Sequence, residues 1–388
     1  MIYSTDRILT THAGSLPRPE DVREMVFAKA RGESYDQVAL DRRLEAAVKE
    51  AVKQQIACGL DIVNEGELSK PNFTDYVLQR IAGCEKRPGT GRRRLDMTAR
   101  DERKFAGYFA SHPRSGFSGG QVLPVCVGEL HYVGQSELQK DLENFKAALA
   151  GATVAGAFLP ANTPGTIEHW MANEHYRSDE AFLFAIAEAM REEYRAIVEN
   201  GFLLQIDDPF LVTYYIMRPH LSIADCRKWA ELRVAALNAA TEGIPPERIR
   251  FHTCYSINMG PRVHDMALAD MIDIILKVRA GAYSFEAANP RHEHEWEEWG
   301  RVKLPDDKAL IPGVITQSTV LVEHPELVAQ RISRFADIVG RERVLAGADC
   351  GFASFAGSNE VHPSIVWAKL AALVEGARIA SRRLWPRA

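Results

Sequence analysis

Short apolar segments alternate with long amphipathic segments along this chain. Eight apolar runs predict strands, at residues 8–11, 60–64, 154–159, 202–206, 249–253, 282–286, 310–315 and 344–348. Elsewhere apolar residues recur at intervals of three and four, the spacing of one helix face. This spacing predicts helices over residues 37–58, 179–200, 222–240, 264–280, 324–339 and 363–382.

The repeated alternation of strand and helix predicts an α/β protein with parallel strands. The most economical arrangement of eight such units is a (β/α)8 TIM barrel. Gly59, Gly201 and Gly281 stand just before predicted strands, where glycine commonly ends the preceding helix. A doubly wound open sheet is the alternative, but no GxGxxG motif opens the chain, so a dinucleotide-binding fold has little support.

One segment interrupts this rhythm after the second predicted strand. Residues 84–120 are rich in charge, glycine and serine, and residues 84–104 hold eight basic and four acidic side chains. A solvated loop accounts for such a run, and so does a lid or an anion-binding face. We expect residues 1–388 to form a single barrel domain, with residues 84–135 as an insertion or lid within it.

Composition excludes several classes of protein. Hydrophobic residues make up 46% and charged residues 26% of the 388 residues, which is ordinary for a globular chain. The net charge of −5 argues against nucleic acid as a partner, and no apolar run approaches the roughly 20 residues that span a bilayer. The N-terminal residues do not resemble a secretory signal, and six cysteines are too few for a disulfide scaffold. We expect a cytoplasmic protein without a membrane partner.

Candidate metal ligands stand at the carboxyl ends of separate predicted strands. His252 and Cys254 are two residues apart, so their side chains face the same side of a strand. Glu286 ends the strand at 282–286, and Cys350 follows the strand at 344–348. In a barrel these ends gather at one face, and imidazole, two thiolates and a carboxylate suit tetrahedral Zn2+. The alternative is that both cysteines are buried free thiols.

Further polar residues share this position: Gly14, Ser15, Glu65, Glu67, Asp207 and Asp208. An acidic residue after a strand is often only a helix cap. Gathered at one barrel face, the acids would instead form a polar pocket. Asp207 and Glu67 could then hold an amine, and the backbone around Ser15 a carboxylate, so the pocket would suit an amino acid.

The remaining candidates are weaker. Four cysteines have no partner at ligand spacing, and we interpret them as structural: Cys58, Cys84, Cys126 and Cys226. Residues 292–295 alternate histidine and glutamate. Metal binding is conceivable for this cluster, but a supporting position behind the site or an exposed loop fits the pattern better.

Seven motifs in order along nearly the whole chain resemble one known family. They are THAGSLPRP, GLDIVNEGE, LQIDDP, HTCYS, SFEAANPR, PGVI and GADCGF. The chain resembles the C-terminal catalytic domain of cobalamin-independent methionine synthase, and more closely the short single-domain relatives of that enzyme. The resemblance implies a (β/α)8 barrel that carries zinc to activate a substrate thiol.

The resemblance also implies roles for individual residues. It makes His252, Cys254, Glu286 and Cys350 the ligands of the Zn2+ ion. It makes four residues the contacts to the amino acid part of homocysteine: Gly14, Ser15, Glu67 and Asp207. Of these, Glu67 and Asp207 are also assigned to catalysis. Trp170 falls near the tryptophan that stacks on the pterin in the family, although a core or rim aromatic explains it equally well.

One departure bears on the methyl donor. The long enzymes have a histidine shortly after the PGV motif that is thought to help protonate the leaving folate, whereas this chain has Gln317 or Ser318 there. Neither side chain is a good general acid near neutral pH, which puts methyltetrahydrofolate in doubt. A methyl-corrinoid donor needs no such proton.

Three functions follow from these observations. The leading one is methyl transfer to the zinc-bound thiolate of homocysteine, which gives methionine. The second is alkyl transfer to another thiol such as coenzyme M, as in the epoxyalkane:coenzyme M transferases among the short relatives. In that case the basic 84–104 segment could face the sulfonate. The third is a zinc-binding protein without catalysis, whose four-ligand shell would not accept an added thiol.

Overall fold

The fold is described from a computed structural model, which covers residues 1–72, 75–88, 99–112, 122–255, 260–354 and 361–386. The strands of this part of the chain are β1 (Leu9–Thr10), β2 (Ile62–Val63), β3 (Ile81–Pro88), β4 (Val122–Tyr132), β5 (Gly156–Asn162), β6 (Ala172–Asn173), β7 (Leu203–Asp207), β8 (Ile249–His252), β9 (Ala282–Phe285), β10 (Ala309–Ile315) and β11 (Leu345–Ala348).

The α-helices lie between these strands and after them. They are α1 (Glu20–Arg31), α2 (Gln37–Cys58), α3 (Ala99–Lys104), α4 (Ala106–Ser111), α5 (Gln135–Leu149), α6 (Pro164–Trp170), α7 (Asp179–Glu199), α8 (Phe210–Met217), α9 (Ile223–Ala240), α10 (Ile272–Ile275), α11 (Trp296–Arg301), α12 (Pro325–Val339) and α13 (Pro363–Leu384). Among the helices described, none is long and apolar enough to cross a membrane.

Eight parallel strands form the barrel, in the order β1-β11-β10-β9-β8-β7-β5-β2. The ladder continues without interruption from β1 round to β2. At the remaining seam the backbone N–H of Asp61 donates to Thr10 O at 3.1 Å. The Asp61 carboxylate accepts in return from the Thr10 backbone N–H at 2.8 Å. The predicted (β/α)8 barrel is therefore confirmed, and the open doubly wound sheet is not what the chain forms.

The predicted interruption also occurs where the sequence placed it, between the second and third barrel strands. Strands β3 and β4 pair antiparallel there, and β4 pairs in parallel with β6 in a small separate sheet. Helices α3 and α4 lie between β3 and β4 in the chain. The run Arg92–Arg94, which supplies much of the basic charge of this segment, lies outside the described residues.

Helix boundaries follow from side-chain caps. Ser222 caps α9 by accepting from the Asp225 backbone N–H, and the Asp225 side chain accepts in turn from the Ser222 backbone N–H. Asp36 caps α2 by accepting from the N–H groups of Val38 and Ala39. Each of the eight predicted barrel strands is present within a few residues of its expected position.

The prediction of a continuous helix over residues 264–280 is wrong. Only α10, four residues long, and a 3-10 turn at Leu268–Asp270 form there. Backbone groups in this segment bond to distant side chains instead of to a helical ladder. Met266 O accepts from the Tyr255 hydroxyl, and the Leu268 N–H donates to Glu295. Apolar spacing alone does not reveal such competition.

Candidate metal centre and adjoining acidic pocket

The carboxyl ends of the barrel strands bring the candidate ligands together at one face, as parallel strands in a barrel require. Asp207 of β7 lies beside His252 of β8, and His252 lies beside Ser284 of β9. Cys254 stands two residues beyond His252, and Cys350 stands two residues beyond the end of β11.

Three of the predicted ligands form a compact cluster. One ligand atom each from His252, Cys254 and Cys350 lies within 4.8 Å of the other two, and all three side chains are buried. The Sγ atoms of the two cysteines are 3.2 Å apart. Two thiolates on one tetrahedral zinc, with Zn–S bonds of about 2.3 Å, would stand roughly 3.8 Å apart. A small separation of the sulfurs would therefore admit the ion.

His252 has the electronic state of a metal ligand. Burial, together with the neighbouring Arg250 guanidinium, lowers the pKa of His252 to about 3, so the imidazole is neutral near pH 7. Its Nδ1 atom lies 2.9 Å from the Ser284 hydroxyl. The Nε2 atom is buried without a hydrogen-bond partner among the described residues. A buried nitrogen left unpaired is costly, and a bound metal ion would satisfy it.

The fold holds the Cys350 thiol so close to the Cys254 thiol that the charged thiolate form of Cys350 is disfavoured. The pKa of Cys350 is raised well above the usual thiol value by its contact with Cys254, by burial and by the nearby charge of Glu286. A divalent cation would reverse this effect because it stabilises the thiolate. The donor set of one imidazole and two sulfurs fits Zn2+.

Glu286 lies beside this cluster but is not among the three atoms that converge. Its Oε1 atom accepts from the Tyr255 N–H at 2.7 Å, and its Oε2 atom accepts from Asn289 at 2.8 Å. Burial raises the pKa of the Glu286 carboxyl. The nearby Asp349 accepts from two backbone N–H groups with one oxygen, and its second oxygen is buried with no hydrogen-bond partner in the part of the chain that the structure describes.

An acidic pocket adjoins the cluster at the ends of β7 and β2. Burial, and next the negative charge of Glu67, raise the pKa of Asp207 well above its usual value. Glu67 is the one non-glycine residue with a positive φ, 55°, among those described. Its Oε2 atom lies 3.3 Å from the Lys70 ammonium. The Asp207 carboxyl, whose charge is disfavoured beside Glu67, forms a place for a cationic ligand group.

Gly14, in the loop after β1, lies against Glu67, and Ser15 follows it in the chain. Gly14 has a φ of 131°, and a β-carbon there would lie 2.7 Å from Glu67 Oε1. The Ser15 hydroxyl accepts from the Ala353 N–H at 3.3 Å, and the Ser15 carbonyl accepts from the Phe352 N–H at 3.0 Å. The loop after β1 is thereby bonded to the loop that follows Cys350.

The two other acids at this face have different surroundings. Asp208 accepts from the N–H groups of Phe210 and Leu211, so it caps α8, and it also accepts from Thr163. The helix-cap alternative therefore holds for Asp208. Glu65 is buried, and burial raises its pKa to about 8.

The two residues connected with the donor lie on different elements. Trp170 ends α6 and contacts the Phe210 ring edge-on at 5.8 Å. Gln317, two residues beyond β10, is 4% exposed, and neither atom of its amide has a hydrogen-bond partner among the described residues. Ser318 instead bonds to Thr316 at 2.7 Å.

The weaker candidates are accounted for by other contacts. The four cysteines interpreted as structural are free and stand outside the three-residue cluster. His292 is buried and bonds to Glu295 at 2.8 Å, while Glu293 pairs with Arg331. His292 thus takes the supporting position that the sequence favoured.

Two residues of the site escaped the sequence analysis. Ser284, which contacts the ligand His252, could have been recognised because it precedes Glu286 by two residues on the same strand face. Lys70, which pairs with Glu67, carries no strand-end signal. The complete burial of the Gln317 amide depends on tertiary packing and left no sign in the sequence.

Comparisons with known proteins agree with this geometry. Residues 125–374 match the family described as cobalamin-independent synthase, catalytic domain. A methionine synthase of Thermococcus kodakarensis is 25% identical over 378 residues, covering 97% of this chain and 94% of that protein. One from Sulfurisphaera tokodaii is 23% identical, covering 97% and 93%. The solved B12-independent methionine synthase of Shewanella sp. W3-18-1 superposes with a TM-score of 0.70 at 19% identity, covering 97% of this chain and 99% of that chain.

Proposed function

The chain belongs to the cobalamin-independent methionine synthase family, and from this premise we propose that it is a zinc-dependent methyltransferase that converts homocysteine to methionine. The observation that carries the proposal is the cluster of His252, Cys254 and Cys350 at the open face of the barrel. Three clustered protein ligands leave a fourth position on the ion, and in catalytic zinc sites a substrate occupies such a position. A structural site would instead be closed by a fourth protein ligand that does not leave.

Zinc held by these residues would supply one effect, the stabilisation of the substrate sulfur as a nucleophilic thiolate near neutral pH. The protein residues supply the rest. Ser284 contacts Nδ1 of the His252 ring and would orient it, which leaves the unpaired Nε2 for the ion. Methyl transfer then forms a bond between the homocysteine sulfur and the methyl carbon while the bond from that carbon to the donor breaks. The leaving group keeps the electron pair.

Substrate selection is proposed to lie in the acidic pocket. Asp207 adjoins His252 in the sheet, so an amino acid bound at Asp207 would carry its side-chain sulfur toward the metal cluster. The ammonium group of homocysteine would relieve the repulsion between Asp207 and Glu67, and the backbone near Ser15 would face its carboxylate. This makes Gly14, Ser15, Glu67 and Asp207 the proposed substrate contacts.

Glu286 remains a proposed fourth ligand of the metal. Its two oxygens accept hydrogen bonds from Tyr255 and Asn289, and the carboxylate lies outside the three converging atoms, so it would have to move to reach the ion. A ligand that must move against its hydrogen bonds is held more weakly than the other three. Glu286 would therefore be the one that yields its position to the substrate sulfur.

Homocysteine is favoured over coenzyme M by the contacts of the basic segment. Arg87 pairs with Glu85 and Glu174, and Arg100 donates to carbonyl oxygens at the end of α8. The guanidinium groups of Arg87 and Arg100 are thus engaged with the protein itself. A sulfonate would also be repelled by the acids of the pocket.

The methyl donor is proposed to be methyl-corrinoid rather than methyltetrahydrofolate. Gln317 is a neutral amide that cannot deliver a proton to a leaving nitrogen, and its two unpaired polar atoms are available for hydrogen bonds with a ligand. Trp170, at the rim of the same face, is the proposed aromatic contact for the ring system of the donor.

The proposal is tested by metal content and product formation in matched variants. We expect about one zinc per purified chain, most of it lost in Cys350→Ala and retained in Cys226→Ala, whose buried thiol lies outside the cluster. Methionine formation from homocysteine should follow zinc content, with methylcobalamin and methyltetrahydrofolate assayed side by side. Wild-type protein that neither contains nor takes up zinc would contradict the proposal.

A further inference from the structure

The inserted segment between the second and third barrel strands reaches the loop that follows the metal-binding strand β8. Asp101, in helix α3 of the insertion, is completely buried. Its Oδ1 atom accepts from the Val263 N–H at 3.0 Å and contacts His264 Nδ1 at 2.7 Å. A side chain of the insertion therefore fixes two consecutive residues of the segment 260–266.

The segment 260–266 in turn holds the residue next to a metal ligand. Arg262 donates to the Tyr255 carbonyl at 2.5 Å, and the Tyr255 hydroxyl donates to Met266 O at 2.9 Å. Tyr255 follows Cys254 directly, and its N–H donates to Glu286 at 2.7 Å. Both ends of Tyr255 are thus tied to this segment, while its N–H is tied to the proposed fourth ligand.

The ring of Tyr255 is clamped from behind by a charged group. It stacks on His292 with centroids 3.5 Å apart and an angle of 6° between the planes. His292 contacts Glu295 at 2.8 Å and Asp265 at 3.4 Å, and Asp265 belongs to the same segment 260–266. The segment 260–266 therefore holds Tyr255 at its carbonyl and its hydroxyl directly, and at its ring through His292.

Asp101 is poorly suited to a role in stability alone. Its Oδ2 atom is buried and has no hydrogen-bond partner among the described residues. A buried carboxylate with half of its acceptors unpaired costs free energy that an apolar side chain would not. The carboxylate of Asp101 is more readily explained by the two residues that its Oδ1 atom holds in place, Val263 and His264.

We propose that Asp101 is a positioning residue for the metal centre. Through the segment 260–266 and Tyr255 it holds Cys254 and the Glu286 carboxylate in place at the metal cluster. The inserted segment is then part of the catalytic apparatus and not a solvated loop. This inference rests on the proposed metal centre, because it assigns Asp101 a role in building that site.

The test compares Asp101→Ala with two matched variants. Asp101→Asn keeps the Oδ1 acceptor for Val263 and His264, so it should restore the wild-type site. Asp36→Ala is the control: it removes a carboxylate at the start of α2, one oxygen of which accepts from two backbone N–H groups. Titration with Co2+, followed by the thiolate-to-cobalt charge-transfer absorption, should show about ten-fold weaker binding and an altered band in Asp101→Ala alone.

A second readout needs no metal. The rate of iodoacetamide alkylation at Cys254, mapped by mass spectrometry in metal-free protein, should rise in Asp101→Ala while the rate at Cys58 of α2 stays constant. Unchanged cobalt affinity with an unchanged Cys254 rate would overturn the proposal, and so would an equal increase at both cysteines, which indicates general unfolding. Wild-type protein that binds no cobalt would instead refute the proposed function, and alkylation would still decide the role of Asp101.

Discussion

Replacement of Gly14 by alanine should disturb the acidic pocket through one added carbon atom. Gly14 has a φ of 131°, and the new β-carbon would lie 2.7 Å from Glu67 Oε1 and 3.0 Å from Pro160 Cγ. Gly32 offers a matched control, because its φ is 70° and a β-carbon there would meet nothing within 4 Å. Both variants bear the cost of a positive φ, but only Gly14→Ala displaces the Glu67 carboxylate.

The magnitudes follow from these two contributions. A left-handed backbone costs an L-residue about 1–2 kcal/mol, which is the whole expected loss of unfolding free energy in Gly32→Ala. Overpacking adds about 1–3 kcal/mol, so Gly14→Ala should lose roughly 2–5 kcal/mol. Displacement of Glu67 should also weaken homocysteine binding at least about ten-fold, or 1.4 kcal/mol, whereas Gly32→Ala should bind normally.

Denaturant unfolding and calorimetric titration of the zinc-loaded protein with L-homocysteine measure the two effects separately. The reasoning requires that the two glycine variants differ in both. If Gly14→Ala lost no more stability than Gly32→Ala and bound homocysteine with unchanged affinity, the Glu67 carboxylate would not be a ligand contact held against Gly14.

Three further predictions follow from the site. Because the pKa of Cys350 is raised, zinc affinity should fall as the pH falls, by at least about ten-fold per pH unit, with no added loss from His252 above about pH 4; a flat profile from pH 8 to 6 in calorimetric titrations would count against a thiolate ligand. Gln317→Leu should leave thermal stability unchanged or raised by about 1 kcal/mol, since it removes an unpaired buried amide, yet lower methyl transfer at least about ten-fold; retained activity would show that the amide contacts no substrate. Asp207→Ala should raise the homocysteine Kd by about ten-fold or more without reducing zinc content, as measured by calorimetry and metal analysis; an unchanged Kd would remove the amino acid interpretation.

The barrel could be predicted from the sequence because its signals are local. Each apolar run such as residues 202–206 and 344–348 forms a strand, and the strand ends then specify which side chains meet. Cys350 lies 96 residues after Cys254, yet barrel closure alone is enough to predict that it converges with His252 and Cys254.

What the sequence could not supply depends on long-range contacts. The segment 264–280 has helical spacing, but its backbone groups at Met266 and Leu268 form hydrogen bonds with the side chains of Tyr255 and Glu295. The charged residues in the second half of β3 predict a loop, and the antiparallel pairing of β3 with β4 joins strands that are far apart in the sequence, so no local pattern signals it. The hydrogen bonds that hold Glu286 apart from the three clustered ligands are also invisible in the spacing of ligands.

Zinc-edge X-ray absorption of the loaded protein, with and without L-homocysteine, tests the central claim most directly. Two protein sulfurs and a histidine nitrogen should surround the ion in the free protein, and addition of homocysteine should raise the sulfur count from about two to about three. A count that stays at two, with homocysteine shown by calorimetry to be bound, would mean that the thiol does not reach the metal. Activation of the substrate sulfur at this cluster would then be refuted.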